Sequence, residues 1–149
     1  MVQTTTQISA CDAVIELQAF EGDMRDISGS SNAVTSRYLQ PTGQLRTFGS
    51  RFYVRQQCGK DAELDLRLVY TTDDDEALNI LRDWFFNHPG TSRTFKVYAP
   101  AKVAGDDLYT FTVFLENLEI PLESGSADPV LCSASLRPTG EFTWAKYGS

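Results

Sequence analysis

His88 is the only histidine among 149 residues, so acid–base or nucleophilic chemistry near neutral pH would have to turn on it. A hydrolytic triad needs a nucleophile and a carboxylate beside it, and no G-x-S-x-G motif offers one. Pro89-Gly90 follow at once, which places His88 at a helix end, where contact with terminal carbonyls is the simpler role. The run Asp73-Asp74-Asp75-Glu76 suggests calcium at first sight. An EF-hand loop, however, spreads its ligands over about twelve residues around a central Gly. Contiguous acids that open a helix read as capping, and Asp106-Asp107 beside Gly105 reads as a turn. No carboxylate pair has a glycosidase look, and neither G-x-x-x-x-G-K-[ST] nor G-x-G-x-x-G is present. Cys11, Cys58 and Cys132 are odd in number and widely spaced, without C-x-x-C, and read as reduced thiols in a protein made in a cytosol. The expectation is a protein that is not an enzyme and has no catalytic, metal or cofactor residue.

Charge carries more information. Between Ile27 and Lys60 there is no acid, but there are five bases: Arg37, Arg46, Arg51, Arg55 and Lys60. From Asp61 to Asp83 there are eight acids against Arg67 and Arg82. Residues 27–60 read as a projecting loop and hairpin arm. Arg37-Tyr38 and Arg51-Phe52-Tyr53-Val54-Arg55 interleave arginine with aromatics. That pattern suits a protein interface, a grip on single-stranded nucleic acid, or an ordinary solvated hairpin. The acidic stretch favours assembly, because the arm of one copy can meet the body of the next. Apolar anchors would supply most of the affinity, with Phe48, Phe52, Tyr53 and Phe86 as candidates. The partner surface would be Glu63, Asp65, Asp73, Asp74 and Asp75.

The elements that position these residues follow from periodicity. The chain is one domain's worth, 1–149, with 42% hydrophobic and 22% charged residues, as in ordinary globular proteins. Its net charge of −7 argues against binding nucleic acid with the whole surface. No apolar run approaches the ~20 residues of a membrane helix, and the N-terminus does not read as a signal peptide. Residues 1–10 read as a mobile or docking tail. Cys11 to Phe20 has strand character, with Ala13, Ile15, Leu17 and Ala19 on one face. Residues 28–32 read as a polar loop. Leu45 to Gln56 reads as a hairpin with a type II′ turn at Gly49-Ser50. Ala62 to Thr71 is the cleanest strand, with Leu64, Leu66, Leu68 and Tyr70 opposite Glu63, Asp65 and Arg67. A helix follows, with Asp73 as N-cap, Glu76 as its partner and an apolar stripe of Ala77, Leu78, Leu81, Trp84 and Phe85. Strands are expected at 94–99, 108–119, 130–136 and 141–146, the second apolar on both faces and so covered on both sides. About seven strands and one flanking helix make a mainly β antiparallel sandwich or barrel.

The order of these elements resembles that of tail tube (major tail) proteins of long-tailed bacteriophages. The matching segments are Asp26-Ile27-Ser28 to Asn32, the strand Ala62 to Tyr70 leading into Asp74-Asp75-Glu76-Ala77-Leu78, and Thr139-Gly140-Glu141-Phe142-Thr143-Trp144. They span roughly residues 12–146 in all. The resemblance implies a sandwich or barrel of the tail-tube type, in rings, commonly hexamers, stacked into a hollow tube of the virion. Strands would join a continuous inner barrel, the hairpin would bridge to the next ring, and the lumen would carry DNA without binding it. Lumen acids such as Glu63 and Asp65 would repel phosphate. Partners would be further copies and other tail proteins (tape measure, terminator, distal tail), with no membrane. Such a protein would be made in the bacterial host cytoplasm. Other readings stay open: a tail terminator, the inner tube of a secretion system, a nucleic-acid-binding module using Arg37, Arg51 and Arg55, or a small hydrolase.

Overall fold

The computed structural model describes residues 11–46, 48–49, 51–57, 59–73, 76–125 and 127–148. Among these residues the chain forms ten strands and one α-helix. The strands are β1 (Val14–Gln18), β2 (Met24–Asp26), β3 (Ser31–Leu39), β4 (Thr42–Leu45), β5 (Val54–Gln57), β6 (Asp61–Val69), β7 (Arg93–Ala99), β8 (Asp107–Glu119), β9 (Leu131–Pro138) and β10 (Thr143–Lys146). The helix, α1, is Ala77–Asn87. The main sheet runs β2-β1-β7-β8-β9-β6-β3, with β10 also on β8, and every pairing is antiparallel. A separate ribbon pairs β4 with β5.

Alternation decides which face is buried. Leu64, Leu66 and Leu68 of β6 are fully buried while Asp65 and Arg67 between them are exposed. Full burial of such side chains stabilises the fold by about 1.5–3 kcal/mol each. They pack with Phe95, Phe111, Val113 and Leu136 from the sheet and with Leu78, Leu81 and Trp84 from α1. The sheet also rolls on itself. Tyr38 of β3 lies 6.4 Å from Tyr109 and 6.3 Å from Phe111 of β8, ring centre to ring centre, although β6 and β9 separate those strands in the sheet order.

The long strand β8 differs from the expectation of apolar cover on both faces. Leu115 faces Leu136 and Asn117 faces Ser135, so Glu116 is an extra residue in a bulge. The bulge returns Leu118 to the core side, opposite buried Ala134, and leaves Phe114 exposed on the other face.

Two further expectations are corrected. Residues 27–60 are not one arm. Ser31–Leu39 is an edge strand of the main sheet, held by pairing with β6, and only the β4–β5 ribbon stands apart. Its sequence hides this because an edge strand exposed along most of its length, with Val34 half-buried against the core, carries little apolar alternation. The ribbon keeps the register of a turn centred on Gly49-Ser50, with Leu45 opposite Val54, but its ladder stops there, and Ser50 lies outside the described residues. Gly49 has φ +92°, a conformation that favours glycine. Residues 1–10, assigned to a tail, also lie outside the described residues.

The helix start is the second correction. Glu76, not Asp73, occupies the N-cap position, and no side chain of the N-cap residue bonds the helix. Ser30 does that work from 47 residues upstream: the Ala77 N–H donates to its Oγ at 3.1 Å. The loop read as polar is thus a 3₁₀ turn, Ser28–Ser30, with Ile27 and Ser30 buried. Along α1, Ile80 joins the buried stripe and Phe85 is exposed at its edge.

Replacing Ser30 with Ala leaves a buried N–H without its acceptor. Equilibrium urea unfolding should show a loss of about 1 kcal/mol, within the range of a lost helix cap. An unchanged midpoint would show that the contact contributes nothing.

Candidate functional site

The structure places the lone histidine, His88, at the end of α1. The His88 ring stacks on Phe20 with centroids 3.5 Å apart, and its Nε2 lies 3.7 Å from Asp83. It closes α1, whose last bond runs from the His88 N–H to the Trp84 carbonyl. Among the described residues no group of three or more His, Cys, Asp or Glu side chains could hold a metal ion. Cys132 is buried in the core, which raises its thiol pKa, Cys11 is exposed, and Cys58 lies outside the described residues. Among the described residues no helix is long and apolar enough to cross a membrane.

What the surface offers instead is apolar side chains and a sheet edge. Among the described residues β3 pairs with β6 and with no other strand, so alternate residues of this nine-residue strand carry backbone groups along an open edge. The ribbon carries Phe48, fully solvated at 104% relative exposure, with Phe52 and Tyr53 also exposed. Arg46 sits 5.9 Å above the Tyr53 ring, and Arg55 Nε donates to Gln44 Oε1 at 3.4 Å. Arg51 and Lys60 are exposed, Lys60 beside a groove lined by Tyr38, Tyr109, Phe142 and Trp144. Phe86 projects from α1 with 69% exposure, away from the core stripe as its register implied.

The expected separation of basic from acidic surface fails on the sheet's outer face. Arg37 Nη1 lies 2.8 Å from Glu63 Oε2, and Arg137 Nη1 lies 2.7 Å from Glu63 Oε1. Arg137 also pairs with Glu116. Alternation explains it: Glu63 and Arg137 each neighbour a buried leucine and so point outward, and the register sets Arg37 opposite Glu63. Asp65, on the same face, accepts from Ser135 Oγ at 3.3 Å. Glu63 is therefore a compensated charge rather than a bare acid. Its carboxyl is held below the usual carboxylate range by hydrogen bonds from Arg137 and then Arg37. Asp73 is exposed, and Asp74 and Asp75 lie outside the described residues. Charge sorting survives in the ribbon, where Arg46, Arg51 and Arg55 stand with no acid among them. Sequence reading missed Arg137 and Glu116, because a pair linking β6, β8 and β9 becomes visible only once the strand order is known.

No protein-family model and no curated protein matches the chain in sequence. Solved structures match its fold. The chain is similar to the SPP1 tail tube protein at TM-score 0.72 and 12% identity, covering 94% of this chain and 80% of that one. It is similar to a chain of the gene transfer agent tail at TM-score 0.68 and 15% identity, covering 92% and 98%. It is also similar to the tube-terminating cap of the anti-feeding prophage at TM-score 0.71 and 10% identity, covering 98% and 95%. The fold is that of tail-tube subunits: antiparallel β with one helix.

The Glu63 bridge gives a signed pH dependence. A carboxyl with a depressed folded-state pKa adds stability above its unfolded value, near 4.5, and loses it as pH falls through the folded value. Wild type should melt higher than Glu63→Gln at neutral pH, and the gap should close on acidification. A pH-independent gap in melting temperature would rule out the charged bridge as its source.

Proposed function

We propose that this chain is a structural subunit of a phage-type tail tube. Copies would associate into rings, commonly hexamers, and the rings would stack into a hollow tube. The observation that carries this reading is a tail-tube fold with its β3 edge open and its β4–β5 ribbon presenting unburied aromatics. An open edge nine residues long is a ready template for another strand, and a closed ring removes it. Heterologous contacts close into rings when the rotation permits and extend into filaments when axial contacts follow.

In this reading Phe48, Phe52, Tyr53 and Phe86 anchor one copy on another. Arg46, Arg51 and Arg55 steer the ribbon toward a net-acidic neighbour. Arg37 has a different part: it braces Glu63 within its own chain. Lys60 and Asp65 stay exposed for neighbours, and Asp73 with Asp74 and Asp75 would add acidic surface. Tape measure, terminator and distal tail proteins would be further partners, with DNA passing transiently through the lumen of a virion tail. The likeness to a tube-terminating cap favours one second reading, a terminator that closes a tube built by another subunit. The two differ in product: a tube subunit polymerises alone, whereas a terminator stops at single rings.

Negative-stain microscopy of concentrated protein should show rings and stacked tubes. Protein that stays monomeric at every concentration contradicts the reading. Joint replacement of Arg51 and Arg55 by Glu should raise the concentration for half-assembly at least about tenfold, near 1.4 kcal/mol. Assembly by that variant at the wild-type concentration would remove the ribbon from the interface.

A further inference from the structure

Arg93 begins β7 with only 3% of its surface exposed. Its guanidinium carbon lies 4.9 Å from the centre of the Trp84 ring, and the Trp84 indole N–H is committed to the Thr91 carbonyl at 2.9 Å. Both terminal nitrogens, Nη1 and Nη2, are buried and find no acceptor among the described residues. A guanidinium taken out of water without hydrogen-bond partners is costly, because its donors lose water and gain no acceptor. The chain tolerates this at one place, the wall of an open cavity of about 460 Å³ between α1, β7 and the turn after β1.

The cavity selects what can enter. Arg25 and Arg82 share its wall with Arg93, while Glu21 and Asp83 set two negative charges there. Asp83 already accepts from Asn87 Nδ2 at 2.7 Å, and Arg82 donates to Asn79 Oδ1 at 3.3 Å. Neither acid bonds Arg93. One extra negative charge is matched by three arginines against two acids, whereas a polyanion such as a nucleic acid backbone would meet Glu21 and Asp83. A carboxylate is planar, and it satisfies two parallel N–H donors of a guanidinium at once. The apolar rim of Phe20 and Phe86 suits the methylene stem behind such a group.

We propose that this cavity is a docking socket in which Arg93 receives a carboxylate side chain from a second copy of this chain. The inference rests on the assembly reading and deepens it. Phe86, 69% exposed on the socket's rim, makes the socket continuous with a proposed apolar anchor. The chain, at net charge −7, is rich in acids to donate. The unpaired cation then has a purpose: it is a cost in the lone subunit that docking removes. Each ring contact would be stronger by what the isolated fold gives up.

Arg93→Met tests this, with Arg93→Lys as a second variant that keeps the charge and loses the paired donors. For Arg93→Met the melting temperature of dilute monomer should hold or rise, because an unpaired buried cation has gone. The concentration for half-assembly, measured by sedimentation, should rise at least about tenfold for Met and several-fold for Lys, the range expected for loss of a buried charged pair. A guanidinium held only for packing gives the opposite result: a less stable monomer and unchanged assembly of whatever folds. Sodium acetate in place of chloride at equal ionic strength should stabilise wild-type monomer, leave Arg93→Met unmoved, and weaken assembly. Stabilisation by acetate with wild-type assembly of both variants would assign the socket to a free small anion and overturn the proposal. If wild type forms no rings, the tube reading falls; if it does and both variants match it, this inference falls alone.

Discussion

Most of the large side chains this fold buries lie on one face of one sheet. Leu64, Leu66 and Leu68, with Phe95, Phe111 and Leu136, close under α1 to make the core. Among the described residues, no strand or helix covers the outer face, where Arg37, Glu63, Asp65 and Arg137 project, or the free side of β3. Everything distinctive about the surface follows from that one-sided burial. The outer face is polar because it alternates with the core, and its charges answer one another across three strands. The edge is open because β3 is the last strand of the path, and the rolled sheet brings Tyr38 near β8 without a ladder to close it.

Electrostatics and apolar contact then have separate duties. Between β3, β6, β8 and β9 the ion pairs lie within the chain, and exposed pairs of this kind add little stability because solvent screens them. In the proposed assembly outward attraction falls to the ribbon, whose sequence holds Arg46, Arg51 and Arg55 and no acid, and to exposed aromatics such as Phe48. Arg93 reverses the pattern, as a cation drawn inside and left without an acceptor for its terminal nitrogens among the described residues. In the proposed assembly these three features act together: the edge supplies backbone pairing, the ribbon supplies apolar area, and the socket supplies one charged contact that water does not weaken.

Much of this was legible in the sequence where burial is periodic. The strand around Leu64 to Leu68, the helix through Leu81 and Trp84, its end at His88-Pro89 and the outward Phe86 all follow from spacing. The order of elements pointed to a tail-tube fold, which the shape agrees with across most of the chain. What stayed hidden is non-local. Ser30 reaches Ala77 across 47 residues, so no capping pattern near the helix could reveal it. β3 exists because β6 is beside it. The division of charge along the chain overstated the division of charge in space, because antiparallel pairing sets Arg37 against Glu63. Arg93 gave no signal at all, since a lone arginine opening a strand looks like any surface base until its burial is known.

The central claim is that copies of this chain complete the surfaces a single copy leaves open. Amide hydrogen exchange, read in dilute monomer and again after concentration, tests it at the backbone. The account predicts slow exchange in β6, β8 and β9 in both states, with a large gain in protection along β3 and the β4–β5 ribbon only on assembly. Protection of β3 and the ribbon that is the same in both states, in protein that has formed rings, would contradict it.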